Sequence, residues 1–391
     1  MDAARQMTRA REFASALRAA AFALVSLTAI ACGTSGLPGP TVVGTLATTS
    51  PAATTPAIHT PSPAPSPTAR PAVGDGEAWV VFQSLADQFD PSADQDGIDH
   101  DDTLFLVRTD GSGLHRLPPV SMVGSEIRPT WSPDGKRIAF IRGHLPIEGG
   151  ELWMINVDGS GAERLVACPP PCNTIGDPDW SPDGTAVYFA GDSDAPPAGG
   201  PPLTFQMWRY DLASRHAEAV LTRHDGMSAE QFRLSPDGTR VVYTRARNLE
   251  AVAPESAVFV ADANGAHERR ITGWTLHPAD PDWSVTGKIV FNSYDLRSSP
   301  TTTEAANIYV IAPDGAGLRR LTNYGRNDTR ATQPRWTPDG RGIIYTLVMR
   351  DQSDPYGVRN LAYMDADGSH SRLLTPEPII GTHPEPRPLR G

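Results

Sequence analysis

A pentapeptide returns along this chain at nearly even intervals. It reads Trp131-Ser132-Pro133-Asp134-Gly135, then Trp180-Ser181-Pro182-Asp183-Gly184 and Leu234-Ser235-Pro236-Asp237-Gly238. A degraded copy follows at Trp283-Ser284-Val285-Thr286-Gly287 and a near-perfect one at Trp336-Thr337-Pro338-Asp339-Gly340. Successive copies start 49 to 54 residues apart. Such a period restricts the chain to a repeat architecture, in which each unit buries its apolar surface against its neighbours.

The pentapeptide has a local physical meaning. Pro presets φ at the first corner of a tight turn, Asp bonds its own backbone, and Gly takes the left-handed position that closes the turn. Short β-rich runs follow at 137–141, 186–190, 240–244, 288–292 and 342–346. Each pentapeptide therefore reads as a hairpin corner feeding a strand. The Trp before the corner is a large apolar anchor for packing between repeats.

The rest of each unit is equally regular. Second strands are expected at 151–156, 206–211, 257–261, 307–312 and 360–365. Asp158-Gly159, Asn264-Gly265, Asp314-Gly315 and Asp367-Gly368 follow most of them, a strong hairpin signal. A last short strand closes each unit at 163–166, 219–222, 269–272, 319–322 and 372–375. Residues 77–118 fit the template without its opening strand. The tail, His383-Pro384-Glu385-Pro386-Arg387, resembles the missing opening. The expectation is an all-β, six-bladed β-propeller of four-stranded blades, with the first blade closed by the C-terminal segment, which removes the open edges of the ring.

These motifs resemble the TolB-type, or WD40-like, propeller repeat: Pro-x-Trp-Ser-Pro-Asp-Gly, strand, loop, strand, Asp-Gly turn, Arg-Leu-Thr. The resemblance covers about residues 75–388. TolB's amino-terminal α/β domain has no counterpart here, so the resemblance does not imply a Tol–Pal role.

Residues 1–31 carry four Arg and end in a thirteen-residue apolar run, too short to span a bilayer. Small residues before Cys32 resemble a bacterial lipoprotein processing site, which implies lipidation at Cys32; an ordinary secretory cleavage near Ala31 is the other possibility. Residues 32–74 are rich in Thr, Pro, Ala and Ser and read as a disordered tether, leaving 75–391 for the propeller. Without residues 1–31 the chain has 30 basic against 43 acidic residues, which argues against a nucleic-acid partner. Cys168 and Cys172 flank three prolines and could close a small disulfide ring or stay as two thiols.

The candidate site follows from position. The innermost strand of a propeller blade lines the channel, and the residue before the motif Pro recurs as Arg128, Asp177, Gln231, Asp280, Gln333 and Glu385. Such a ring, with Asp179 and Asp282 two residues on, suits a cation or a peptide with basic and polar groups. Asp94, Asp96, Asp99 and Asp101 around Gly97 resemble calcium-loop spacing and form a second candidate, with Ca2+ as the one cofactor suggested. His277 and His383 sit in similar contexts; some related propellers are polysaccharide lyases with a metal in the funnel, so an enzyme is the alternative. A ligand-sensing ectodomain is another. No Gly-x-Ser-x-Gly elbow, His-Glu-x-x-His helix or Walker loop occurs. The sequence thus points to a monomeric, exported, lipid-anchored binding or scaffold module on the outer face of a bacterial membrane, not an enzyme, with an envelope protein or peptide as partner.

Overall fold

The structure is a computed structural model. It describes residues 73, 77–85, 102–120, 124–143, 150–167, 172–193, 205–223, 225–248, 255–294, 305–325, 329–349, 358–375 and 381–388. Cys32, Cys168 and the Asp94, Asp96, Asp99 and Asp101 loop lie outside these residues, as does the side chain of Cys172. Among the described residues there is no helix, and the strands form a propeller of four-stranded antiparallel blades.

Each sheet runs outward from an inner strand. One holds Ser125–Trp131, Arg137–Gly143, Glu151–Asn156 and Glu163–Val166. The next holds Cys172–Trp180, Ala186–Ser193, Phe205–Asp211 and His216–Arg223. A third holds Ser228–Leu234, Arg240–Arg247, Glu255–Asp262 and Arg269–Arg270. An eight-stranded sheet follows, made of two such antiparallel runs, Pro278–Trp283 to Arg319–Arg320 and Thr329–Trp336 to Arg372–Leu373. A single parallel pairing, Ala306 with Arg330, joins them.

The remaining sheet confirms the expected closure. Gly381–Pro386 pairs antiparallel with Trp79–Leu85, from one end of the chain to the other. The Arg387 amide donates to the Trp79 carbonyl at 2.7 Å, and its guanidinium donates to the Gly135 carbonyl at 3.0 Å. The same guanidinium lies over the Trp131 ring, and Trp131 Nε1 donates to the Glu385 carbonyl at 2.9 Å. At the rim, Arg269, Arg319 and Arg372 donate to the carbonyls of Pro313, Asp367 and Thr109. Arg372 repeats this rim contact across the closing seam.

Both faces of the blades are buried, so alternate residues of one strand serve two neighbours. In Trp79–Leu85, Trp79 and Val81 join Trp131, Ile138 and Phe140, while Val80 and Phe82 join Ile344 and Leu361. The repeated Trp side chains fill these seams as expected. Trp180 packs with Ile127 and Ile141, Trp283 with Val242 and Val258, and Trp336 with Val290 and Ile308.

The pentapeptide is a wired corner. Gly135, Gly184, Gly238 and Gly340 have φ of 62°, 70°, 70° and 67°. Ser132 Oγ donates to Asp134 Oδ1 and accepts from the Arg137 amide, and the Lys136 amide donates to Asp134. The same set recurs at Ser181 and Asp183, at Ser235 and Asp237, and at Thr337 and Asp339. In the degraded copy Thr286 stands in for Asp and bonds Ser284. The hydroxyls of Ser181 and Ser235 lead the hydrogen bonds that hold Asp183 and Asp237 down to about 2.

Deleting residues 377–391 removes the closing strand, leaves the Trp79–Leu85 edge unpaired and uncovers Trp131. The melting temperature should fall by more than about 10 °C in calorimetry, since a few kcal/mol correspond to several degrees in a domain of this size.

Candidate functional site

Every inner strand breaks register at the same place. The ladder slips between Ile127 and Thr130, Gly176 and Asp179, Glu230 and Arg233, Ala279 and Asp282, and Thr332 and Arg335. The bulged residues Arg128, Asp177, Gln231, Asp280 and Gln333 have φ between 49° and 57°. A non-glycine residue in this region costs about 1 kcal/mol or more, so it persists only where the surroundings hold it. A bulge also re-aims a side chain, here toward the axis.

The tail carries the same bulge, but not at Glu385. Its ladder slips between Thr382 and Glu385, and His383 has φ of 51°. His383-Pro384 is therefore the equivalent of Arg128-Pro129. Glu385, expected in the first ring, lies two residues further on, beside Thr130, Asp179, Arg233, Asp282 and Arg335. The tail holds three x-Pro pairs, His383-Pro384, Glu385-Pro386 and Arg387-Pro388, and no Trp, so sequence alone left the register ambiguous.

The first tier is a hydrogen-bond relay between blades. Asp177 accepts from the Gln231 amide at 2.9 Å, Gln231 Oε1 from the Asp280 amide at 3.0 Å, and Gln333 Oε1 from the His383 amide at 3.0 Å. At two junctions a neighbouring strand supplies the acceptor: Asn292 takes the Gln333 amide and Gln83 the Arg128 amide. Arg128 Nη1 forms an ion pair with Asp177. Gln333 Nε2 lies 2.9 Å from His383 Nε2.

The second tier alternates in charge: Thr130, Asp179, Arg233, Asp282, Arg335, Glu385. Asp179 and Asp282 each accept a backbone amide of the next blade, from Leu234 and Trp336, at 2.7 Å. Arg233 and Arg335 both reach Glu385 Oε2, at 3.3 and 3.1 Å, and donate to the carbonyls of Pro178 and Pro334. Loss of water pushes Asp179 up to about 7 despite the nearby Arg233, with Glu385 and Asp282 adding repulsion. Burial likewise raises Asp282 to about 6 against the pull of Arg335. Burial works against the charged form of Arg233, yet Glu385 and Asp179 hold its pKa above the usual value.

The two tiers enclose a small polar pocket with a water-sized free space, lined among others by Arg128, Asp177, Arg233, Asp280, Arg335 and His383. Burial holds the His383 pKa well below its ordinary value, and Arg128, Arg335 and Arg233 add to the effect, so the ring is neutral. Asp280 is pushed up by burial, opposed by Arg335 and Arg128. It is 5% exposed, and its Oδ2 has no hydrogen-bond partner among the described residues. His277 does not line this pocket; it precedes the inner strand three residues before the bulge, so the two histidines are not equivalent. No group of three or more His, Cys, Asp or Glu side chains suited to a metal occurs among the described residues.

Sequence reasoning found five positions of the first tier and named Asp179 and Asp282. It missed His383 as a tier member, and the paired roles of Arg233 and Arg335. Aligning the tail on Pro384 instead of Pro386 would have recovered His383.

Comparison with known proteins agrees with this geometry. The family described as "Lipoprotein LpqB beta-propeller domain" matches residues 105–281. TolB from Acinetobacter baumannii superposes with a TM-score of 0.58 at 19% identity, covering 81% of this chain and 68% of that one. The hydrazine synthase of Kuenenia stuttgartiensis superposes at 0.57 with 14% identity, covering 81% of this chain and 47% of that one. At these identities the likeness concerns the fold alone. Among curated proteins, an uncharacterised peptidase of Bacillus subtilis (strain 168), YuxL, is 26% identical over 145 residues, which are 33% of this chain and only 20% of the relative. The propeller implied by the pentapeptides is thus matched by a propeller family model over residues 105–281 and by the fold of TolB.

The raised carboxyls give a signed pH dependence. Above about pH 7, Asp179 and Asp282 are ionised whether the chain is folded or not, and the folded state bears the cost. Between about pH 7 and 4 the folded chain holds protons that the unfolded chain has lost, so their contribution to stability grows as pH falls; below about pH 4 it is constant. Each pH unit between the folded and unfolded values is worth roughly 1.4 kcal/mol per group. Urea midpoints should therefore rise from pH 8 to pH 5.5, and Asp179→Asn should flatten that slope.

Proposed function

We propose that this chain is a binding module of the bacterial cell envelope: a propeller that captures a protein or peptide segment at its axial pocket, held to the membrane by a lipid on Cys32. The observation that carries the reading is the pocket itself, where ionisable side chains from successive blades converge on one shared space. Recognition surfaces of this kind gather polar groups on a rigid frame, and here the frame is the inner-strand bulge.

Other observations support a binder over an enzyme. Asp177, Asp179 and Asp282 already accept amides of the next blade, and Glu385 is gripped by two guanidiniums. Groups so engaged hold shape and are poorly placed as a base or nucleophile. His383, buried beside three arginines, is disfavoured as a proton carrier near neutrality. The envelope location rests on the apolar leader, the residues around Cys32, and the family description that names a lipoprotein. The acidic balance of the chain disfavours nucleic acid, and one chain closes its own ring, which suits a monomer.

Cross-linking in intact membranes with the full-length acylated protein, followed by identification of captured proteins, tests the reading. An envelope protein should be enriched and should be lost in Arg128→Ala, with the fold of the variant checked by its melting curve. Capture of nothing above an unrelated lipoprotein control, or the same capture by Arg128→Ala, would overturn it. Cys32→Ser should move the chain from the membrane to the soluble fraction in the same preparation.

A further inference from the structure

The geometry points to a more specific ligand chemistry, and it rests on the binding-module reading above. We propose that the axial pocket is a subsite for one cationic nitrogen, an ammonium group presented by the ligand, with the Asp280 carboxylate as its acceptor.

Three observations on the molecule converge. The first is an unsatisfied acceptor: Asp280 is 5% exposed, lines the pocket, and its Oδ2 has no hydrogen-bond partner among the described residues. Leaving a buried acceptor unpaired is costly, so the position favours a donor. Its own backbone does not supply one, because the Asp280 amide is donated to Gln231.

The second is charge. The cationic groups acting at the axis are Arg128, Arg233 and Arg335, which line the pocket, and Arg359, which also acts on His383. Facing them are Asp177 and Asp280 in the first tier and Asp179, Asp282 and Glu385 in the second, with His383 neutral. With all five acids ionised they outnumber these four cations, and because burial raises Asp179, Asp280 and Asp282 that excess develops only as the pH rises. The arginines have acidic partners, Arg128 in Asp177 and Arg233 and Arg335 in Glu385, although Arg233 Nε has no hydrogen-bond partner among the described residues.

The third is size and donor set. The free space is water-sized, which admits one ammonium group and not an aromatic or branched side chain. Hard metal ions want six or more oxygen ligands, and no group of three or more acidic, His or Cys side chains suited to holding a metal is found among the described residues. An ammonium needs fewer acceptors and brings its own donors to Asp280.

The nitrogen could be a lysine side chain or the free amino terminus of a polypeptide, and both share the ammonium chemistry. The test is titration of the full-length protein, in detergent, with butylammonium chloride, glycinamide hydrochloride and tetramethylammonium chloride at matched ionic strength, read by calorimetry. Butylammonium stands for lysine and glycinamide for the amino terminus; tetramethylammonium has the charge but no N–H and is too large. Saturable binding of either primary amine, absent with tetramethylammonium, is the expected result, and the tighter amine identifies the source. Asp280→Asn should weaken binding at least tenfold while keeping its fold, checked by its melting curve. Affinity should also rise from pH 5.5 to pH 8, as protons leave Asp179 and Asp282. Equal response to all three salts, no saturable response, or binding by Asp280→Asn within twofold of the parent would overturn the subsite. The salt contrast on the parent protein decides the matter even if the variant does not fold. If no amine binds and an envelope protein is still captured in the membrane experiment, the subsite alone fails; if an amine binds and nothing is captured, the protein-binding reading alone fails.

Discussion

The left-handed bulge before the inner-strand proline is the constraint on which the rest of this structure depends. A residue such as Gln231 or Asp280, held near φ of +50°, is locally unfavourable. The strain is offset because the same bend exposes a backbone amide to the preceding blade and aims a side chain at the next one. Asp177 takes the amide of Gln231, and Gln231 takes the amide of Asp280. One backbone device thus joins the blades at the axis and gathers their ionisable groups there. The Trp seams and the Arg rim contacts do the same joining further out, where burial of apolar surface is the larger contribution.

Much of this was legible in the sequence because repetition turns weak local signals into a strong one. Trp-Ser-Pro-Asp-Gly marks a corner whose hydrogen bonds are the same at Ser132, Ser181 and Ser235. The absent opening strand near residue 77 and the spare x-Pro segment at the tail implied each other, and they pair. The failure at Glu385 has a physical reason. Elsewhere the Trp fixes the register three residues after the bulge, whereas the tail has Pro386 in that place and Arg387 instead reaches over Trp131. The roles of Arg233 and Arg335 were hidden for another reason: which charges meet depends on how the blades are ordered around the axis, and no single repeat contains that information.

An axis made only for stability would not look like this one. Buried ion pairs are expensive to desolvate, and a well-packed apolar plug is often at least as stable. Here Asp179, Arg233, Asp282, Arg335 and Glu385 alternate in charge, so each guanidinium has acidic neighbours and the pairing is ordered. The alternation breaks at Thr130, where a further cation would complete it. That break leaves three acids to two bases in the second tier, and their repulsion adds to the burial that displaces Asp179 and Asp282 upward.

The first tier repeats the imbalance in another form. Asp177 is matched by Arg128, while Asp280 faces the pocket with an oxygen that nothing among the described residues satisfies. Both departures from balance lie around one small space at the centre of the frame. In a repeat protein, positions that depart from the common pattern are not needed to hold the repeats together, since the other copies show how that is done without them. Thr130 and Asp280 are such positions, and they share a sign: each leaves the axis short of one cationic partner. The pentapeptide corners make the ring, and the exceptions to the ring's own pattern mark where it can accept something from outside.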